Sequence, residues 1–164
     1  MRLVVADTSP IFYLFSINEI DLVPKLFGKV FVRDMVYREL CHPHAPADLR
    51  GWVGNCPAWL EVTPVTPIED AEFLALDDGE RAAITLALSL SADVILMDER
   101  KGTMAALKKG FDVTGTLGVL SLAARHGWVN LADCFEKLKR TNFRYRQEIM
   151  DELLRETSDD QETR

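Results

Sequence analysis

The segment that most constrains the fold is the run Leu-Val-Val-Ala-Asp-Thr-Ser-Pro at residues 3–10. Its four apolar residues predict a short buried strand, and Asp7 stands where that strand should end. The same pattern recurs at residues 93–98, where a second apolar run ends at Asp98. Ligands bind outside the carboxyl ends of the strands in an open α/β sheet. If the two strands are parallel neighbours, Asp7 and Asp98 meet at that edge.

Two carboxylates in one crevice repel each other unless a positive charge lies between them. A hard divalent cation is the usual solution. Either aspartate alone has an ordinary alternative role, because an acid at the end of a strand often caps the next helix. Since they occur together at equivalent strand ends, Asp7 and Asp98 favour a metal site at the edge of the sheet.

Strand and helix patterns alternate along the chain. This alternation predicts an α/β fold, a three-layer sandwich whose central, mostly parallel sheet is flanked by helices. Strands are predicted over residues 3–6, 30–32, 60–62, 94–97 and 111–114. A helix is predicted to start at residue 10, and others to cover 21–27, 34–40, 67–76, 81–90, 101–109, 117–125, 131–139 and 144–155. Residues 41–59 predict a loop with room for a short helix. We expect a single domain over residues 1–156 and a frayed polar tail over residues 157–164.

The composition indicates a soluble, cytoplasmic globular protein. The 164 residues are 48% hydrophobic, and no apolar run approaches the roughly 18 residues of a membrane span. Three scattered cysteines fit reduced thiols better than a disulfide framework. The first strand begins at once, which leaves no room for a signal peptide. The net charge of -7 argues against a strong, non-specific coat for nucleic acid.

Glu80 and Glu39 are two further acids, and each has an ordinary and a functional interpretation. Asp77 and Glu80 have the spacing of a capping box, which accounts fully for Glu80. The capping box does not account for Asp78 in the same turn, and a nearby cation would ease the crowding of the three acids. Glu39 lies on a helix beside Arg38, and from spacing alone it belongs to a solvated helix face.

Four segments of the chain resemble the PIN domain, the fold of VapC-type toxin ribonucleases. The closest resemblance is to a prokaryotic PIN-like subfamily of predicted nucleic-acid-binding proteins. The segments are residues 5–10, 77–84, 96–100 and 113–120, and the run Thr-Gly-Thr-Leu-Gly-Val-Leu at 114–120 is the most specific.

The resemblance implies catalytic roles for Asp7, Glu39, Glu80 and Asp98. Asp7, Glu80 and Asp98 would bind Mg²⁺ or Mn²⁺, and Glu39 would orient the attacking water. The resemblance is what raises Glu39 above a solvated surface acid. Glu80 is a departure, because many of the toxins have Asp at this position.

The resemblance also implies substrate contacts at the same edge of the sheet, through Ser9, Arg100, Lys101, Thr114 and Thr116. Arg100 and Lys101 stand where some PIN nucleases carry a further acid, with Glu99 before them. The ordinary alternative for these two cations is a solvated basic helix face. For the two threonines it is a pair of turn hydroxyls.

The leading hypothesis is a metal-dependent endoribonuclease that hydrolyses RNA phosphodiesters, the toxin of a toxin–antitoxin pair. Its expected partners are RNA, a small antitoxin protein and a second copy in a homodimer. The alternative is a non-catalytic PIN-like module that binds nucleic acid or protein. A phosphoryl-transfer protein fits poorly, because the acidic pair that a receiver domain needs is absent where Thr8 follows Asp7.

Overall fold

The computed structural model describes residues 2–64 and 70–162. Within these ranges five strands form one sheet in which all neighbours are parallel. The strands are β1 Val4–Ala6, β2 Val30–Arg33, β3 Leu60–Thr63, β4 Val94–Leu96 and β5 Asp112–Thr114. Their order in the sheet is β3-β2-β1-β4-β5, so β1 lies at the centre.

Helices connect the strands and cover both faces of the sheet. They are α1 Thr8–Ser16, α2 Leu22–Phe27, α3 Asp34–Leu40, α4 Ala47–Gly54, α5 Asp78–Leu90, α6 Arg100–Lys108, α7 Thr116–Arg125, α8 Leu131–Lys139 and α9 Gln147–Glu162.

Alternating strand side chains fill two separate hydrophobic cores. Val4 and Ala6 of β1 face the larger core, which α1 to α4 and α7 to α9 complete. Val5 faces the opposite way, into a smaller core with α5 and α6. A parallel strand with both faces covered must be apolar at every position, which is why β1 and β4 read as continuous apolar runs. The predicted three-layer sandwich is therefore confirmed.

The register of the sheet brings the two strand-end aspartates to one edge. Ala6 pairs with Leu96, and the backbone N–H of Asp7 donates to the Leu96 carbonyl at 2.9 Å. Asp7 is the first residue after β1, and Asp98 is the second residue after β4. The prediction that Asp7 and Asp98 share the carboxyl edge of neighbouring parallel strands is confirmed.

The segment between residues 41 and 76 holds one short helix and one 3₁₀ turn. The short helix for which the predicted loop at residues 41–59 leaves room is α4, whose Leu49 and Val53 are buried. Of the helix predicted over residues 67–76, residues 67–69 lie outside the described residues, and residues 70–76 contain a 3₁₀ turn at Ala71–Phe73 in place of an α-helix. Asp77 ends that segment because its side chain caps α5 instead.

The C-terminal segment is more ordered than its polar sequence predicts. Helix α9 begins at Gln147 and continues through Glu162, past the predicted start of a frayed tail. Thr157 is buried, and its hydroxyl donates to the Leu153 carbonyl at 2.9 Å. Arg125 of α7 lies 3.7 Å from a Glu156 oxygen and 3.3 Å from an Asp160 oxygen. These contacts hold the last turns of α9 against α7.

No helix in the described part of the chain is both long and apolar enough to cross a membrane.

Removal of residues 157–164 should lower the free energy of unfolding by about 1–2 kcal/mol, because it removes a buried hydroxyl and an ion pair from α9. Urea unfolding followed by circular dichroism measures the change. Removal of residues 163–164 alone is the control and should leave the midpoint in place. Equal midpoints for both truncations would show that the end of α9 contributes nothing to the fold.

Candidate active site

Asp7 occupies the first position after the central strand and caps α1. Its carboxylate accepts a hydrogen bond from the Thr8 N–H at 2.8 Å, and only 6% of the residue is exposed. The ordinary capping role expected for a strand-end acid is thus present. Capping uses only part of the carboxylate, because a carboxylate can accept several hydrogen bonds.

Three carboxylates converge on the space beside Gly79, in the first turn of α5. A Cβ atom at Gly79 would lie 3.1 Å from Asp7 Oδ1, 3.4 Å from Glu39 Oε1 and 3.5 Å from Asp77 Oδ1. The three acids come from the end of β1, from α3 and from the N-cap of α5. Because Gly79 has no side chain, the three carboxylates can approach its Cα atom closely.

The space opens into a small cleft of about 250 Å³, which we call the acidic cleft. Glu99 adds a fourth acid to its lining. The Thr8 hydroxyl hydrogen-bonds to Glu39 Oε2, which leaves Oε1 facing Gly79. The acidic cleft is lined by Asp7, Thr8, Ser9, Phe12, Tyr13, Glu39, Asp77, Gly79 and Glu99.

Glu80 lies behind this cleft and forms the predicted capping box. Its backbone N–H donates to Asp77 Oδ1 at 2.7 Å, and its carboxylate accepts from the Asp77 N–H at 3.2 Å. Burial raises the pKa of Glu80, while the Asp77 N–H lowers it in part and the Lys101 charge opposes the rise. Glu80 thus fixes the orientation of Asp77, and Asp77 carries the carboxylate that lines the cleft.

Asp98 stands at the same edge of the sheet, but its carboxylate is directed toward α7. It accepts hydrogen bonds from the Ser9 hydroxyl at 2.9 Å, the Thr116 N–H at 2.6 Å and the Thr116 hydroxyl at 2.8 Å. Asp98 lines a second, larger cleft of about 650 Å³ together with Arg100. Ser9 also lines the acidic cleft, so it joins the two clefts.

Close packing explains the Thr-Gly-Thr-Leu-Gly run. A Cβ at Gly115 would lie 2.8 Å from Asp98 Oδ1, and a Cβ at Gly118 would lie 2.9 Å from Thr114 Cγ2. Both glycines therefore permit contacts that any larger residue would block. Thr116 is fully buried, which excludes the direct substrate contact predicted for it, and Thr114 packs against α7.

The structure thus divides the predicted acids into two groups. Asp7 and Glu39 meet in the acidic cleft, whereas Glu80 and Asp98 are hydrogen-bonded into its walls. Asp77 and Glu99 also line the cleft, although neither was among the predicted site residues. Each is adjacent to a residue that was, Asp77 through the capping box with Glu80 and Glu99 as the neighbour of Asp98.

The acids raise each other's cost of ionisation. Burial raises the pKa of Asp7 from its ordinary value of 3.8 to about 7, and Asp77, Glu39 and Glu80 add to the rise. The Thr8 N–H opposes it but does not cancel it. A cation in the acidic cleft would reverse this balance, because it stabilises the ionised form.

The donor chemistry fits a hard divalent cation. Carboxylate oxygens are the ligands that Mg²⁺ and Mn²⁺ prefer, and three of them lie around Gly79. As they are placed, no three acidic, histidine or cysteine side chains in residues 2–64 and 70–162 form a group that could hold a metal ion, so the three acids would have to move closer together to bind one. His42 and His44 stack on each other, and His42 Nδ1 accepts from the His44 N–H at 3.1 Å.

Comparison with known proteins gives one family. A family profile described as a PIN domain matches residues 3–159. No curated protein and no solved structure matches the chain. The match includes every strand of the sheet and every residue of the acidic cleft.

The raised pKa of Asp7 makes stability depend on pH. Because the folded-state value exceeds the unfolded one, Asp7 stabilises the fold fully below about pH 4, and this contribution is lost as pH rises through about 7. Asp7→Asn keeps a good N-cap and removes the charge. In EDTA the variant should become more stable than wild type above pH 7, by at most about 4 kcal/mol.

Urea unfolding at several pH values between 4 and 8 measures this difference. Asp112→Asn, an exposed acid at the start of β5, is the matched control. At each pH, the free energy of unfolding of each variant is subtracted from that of wild type. If this difference depends on pH no more strongly for Asp7→Asn than for Asp112→Asn, the carboxyl group of Asp7 is not crowded as described.

Proposed function

Because the chain belongs to the PIN-domain family, with a match over residues 3–159, we propose that it is a Mg²⁺- or Mn²⁺-dependent endoribonuclease. Its substrate is single-stranded RNA, and its reaction is hydrolysis of a phosphodiester bond. The observation that carries the proposal is the convergence of Asp7, Glu39 and Asp77 on the space beside Gly79. A buried acid with a raised pKa in a cleft is a feature of functional sites.

Asp7 and Asp77 would hold the metal ion directly, and Glu39 would hold it through a water. When bound, a divalent cation supplies the positive charge that makes a water nucleophilic and neutralises phosphate oxygens. Asp7 loses its proton when the cation binds, since the cation favours the carboxylate. Metal affinity should therefore rise with pH through the neutral range.

Glu39 would orient the attacking water. Its Oε2 is occupied by the Thr8 hydroxyl, so the free Oε1 faces the space where the cation and water would meet. This arrangement fixes the side chain, although Glu39 itself is exposed. A carboxylate held by one oxygen can accept a proton at the other.

Glu80 and Asp98, which the sequence analysis selected as metal ligands, are proposed to act through water. Each already accepts hydrogen bonds from the fold, Glu80 from Asp77 and Asp98 from Ser9 and Thr116. Neither residue lines the acidic cleft, so a water would bridge each carboxylate to a cation held there. Their negative charge still contributes to the attraction for a cation.

Single-stranded RNA fits this site better than a duplex. The acidic cleft is small and recessed, and a flexible strand can bend one phosphate into it, whereas a duplex has a stiff backbone. The net charge of -7 repels nucleic acid at long range. We therefore expect activity at low salt with the metal ion in excess, because phosphate contacts with basic residues are least screened there.

A second candidate is a PIN-like module that binds nucleic acid or protein without cutting it. The observation in its favour is that Glu80 and Asp98 are hydrogen-bonded into the walls of the cleft. The two functions differ in one measurement, because only the nuclease changes the length of its RNA. The toxin role belongs to the first candidate, with a small antitoxin protein that would block the cleft.

The purified chain should cleave single-stranded RNA in Mg²⁺ or Mn²⁺ and lose activity in EDTA. Asp7→Asn should lower the rate at least about 100-fold, because it removes a ligand charge and keeps the size of the side chain. Denaturing gel electrophoresis of a mixed RNA pool measures cleavage. Asp112→Asn, prepared identically, should cleave like wild type.

Equal cleavage by wild type and Asp7→Asn would indicate a contaminating nuclease. No cleavage by wild type across metals and salt concentrations would contradict the nuclease and leave the binding module.

Gly79→Ala tests the position of the metal. The added methyl group would lie 3.1 Å from Asp7 Oδ1 and 3.4 Å from Glu39 Oε1, so it should crowd the ligands and weaken Mn²⁺ binding about 10-fold or more. Calorimetric titration with Mn²⁺ measures affinity, and the metal-dependent rise in melting temperature provides a second readout.

Gly51→Ala in α4 is the control, because a Cβ there meets nothing within 4 Å. Both substitutions replace a helical glycine, so both gain helix propensity, and only Gly79→Ala should lose metal. Unchanged Mn²⁺ affinity in Gly79→Ala would place the metal elsewhere.

A further inference from the structure

The larger cleft beside Asp98 has the opposite charge character to the acidic cleft. We call it the basic cleft, and it lies between the start of α6 and the loop that joins α8 to α9. Its lining includes three arginines and one tyrosine, Arg100, Arg144, Arg146 and Tyr145, with Asp98 at the side shared with the acidic cleft. Tyr145 is 41% exposed, which is high for a large aromatic ring.

The α8–α9 loop is anchored directly to the acidic cleft through Tyr13. The Tyr13 hydroxyl donates to Asn142 Oδ1 at 2.9 Å, and its ring meets the Phe143 ring edge-on at 4.9 Å between centroids. Burial and the Asp98 carboxylate raise the pKa of Tyr13, and Arg144 opposes that rise. Arg144 follows Phe143 directly in the chain, so it belongs to the part of the loop that packs against Tyr13.

Positive charge is concentrated in the last turn of α8 and the α8–α9 loop, against the trend of the whole chain. Residues 137–146 carry five cations and no acid, in a protein of net charge -7. Lys139 Nζ lies 5.8 Å from the centroid of the Tyr145 ring and 3.2 Å from Glu136 Oε1. A basic segment with an exposed aromatic ring is the composition that binds single-stranded nucleic acid, through phosphate contacts and base stacking.

We propose that the basic cleft binds the single strand that flanks the phosphate held in the acidic cleft. Arg100, Arg144 and Arg146 contact its phosphates, and a base stacks on Tyr145. The guanidinium fork suits phosphate oxygens. The inference rests on the proposed function for what happens in the acidic cleft, and it adds the path along which the substrate lies.

The charges also solve a difficulty of the acidic cleft. Four acids there repel a polyanion, and a metal ion offsets that repulsion only at the phosphate it contacts. Neighbouring phosphates need cations of their own within reach. Through the link from Ser9 to Asp98, the basic cleft is the adjoining surface that provides them.

The test measures binding and cleavage separately. Fluorescence anisotropy follows binding of a labelled single-stranded RNA of about 12 nucleotides in EDTA, and a DNA of the same sequence shows whether the 2′-hydroxyl matters. The variants are Arg144→Gln with Arg146→Gln, Tyr145→Ala and Tyr145→Phe. The charge-matched control is Arg2→Gln with Lys29→Gln, two exposed cations at the amino edge of the sheet.

We expect the loop double variant to bind at least 10-fold more weakly and to lower the salt dependence of binding by a slope of about 1.4, the value for two phosphate contacts on a single strand. Tyr145→Ala should weaken binding about 5-fold to 100-fold, and Tyr145→Phe should retain most of the affinity because the ring remains. Equal melting temperatures show that all variants are folded.

Equal losses in the loop and control variants would overturn the inference, as would a folded wild type that binds neither oligonucleotide at low salt. Tyr145→Phe as weak as Tyr145→Ala would exclude stacking as the role of the ring. If the loop variants lose binding but wild type shows no metal-dependent cleavage, the proposed nuclease fails and the basic cleft stands. If wild type cleaves and the loop variants bind RNA as tightly as wild type, the proposed role of the basic cleft fails and the nuclease stands.

Discussion

The burial of the Asp7 carboxyl group among other acids is the interaction on which the rest of the site depends. A buried carboxylate is costly, and its neighbours Asp77 and Glu39 increase that cost. The fold compensates only in part, through the Thr8 N–H at the start of α1. The N-terminus of α5 also points its positive end at this edge, where Asp77 caps it. The site is left short of positive charge in this way, which is the observation behind the proposed binding of a cation.

The general architecture could be predicted from sequence because burial on both faces leaves a strong signal. Strand β1 is central and apolar at each position, and β4 repeats the pattern. The short helix α4 left a weaker signal, since its buried Leu49 and Val53 stand among prolines and glycines. The end of α9 was hidden for another reason. Its stability comes from contacts with Arg125, more than 30 residues away, which a local pattern does not record.

The acids could be selected from sequence, but their orientation could not. Asp77 and Glu80 are partners in one capping box, so a motif that contains both does not indicate which carboxylate faces solvent. In the structure the N-cap residue lines the cleft and the third helical residue turns inward. The direction of Asp98 depends on Gly115 and Thr116, which are close to it only after the chain has folded. Spacing therefore identified the edge of the sheet and left the ligand set open.

Net charge was the least informative of the sequence features, because it averages two surfaces of opposite sign. The acids are concentrated around Gly79, whereas the cations of the α8–α9 loop lie around Tyr145. Electrostatic potential at a surface follows local clusters, since charges further apart than about 10 Å are screened at 0.1 M salt. A polyanion that approaches the protein meets the basic loop and the acidic cleft as separate environments. Hydrogen bonds from the Ser9 hydroxyl to Asp98 and from the Tyr13 hydroxyl to Asn142 join the two surfaces, so the acidic cleft and the basic cleft lie side by side.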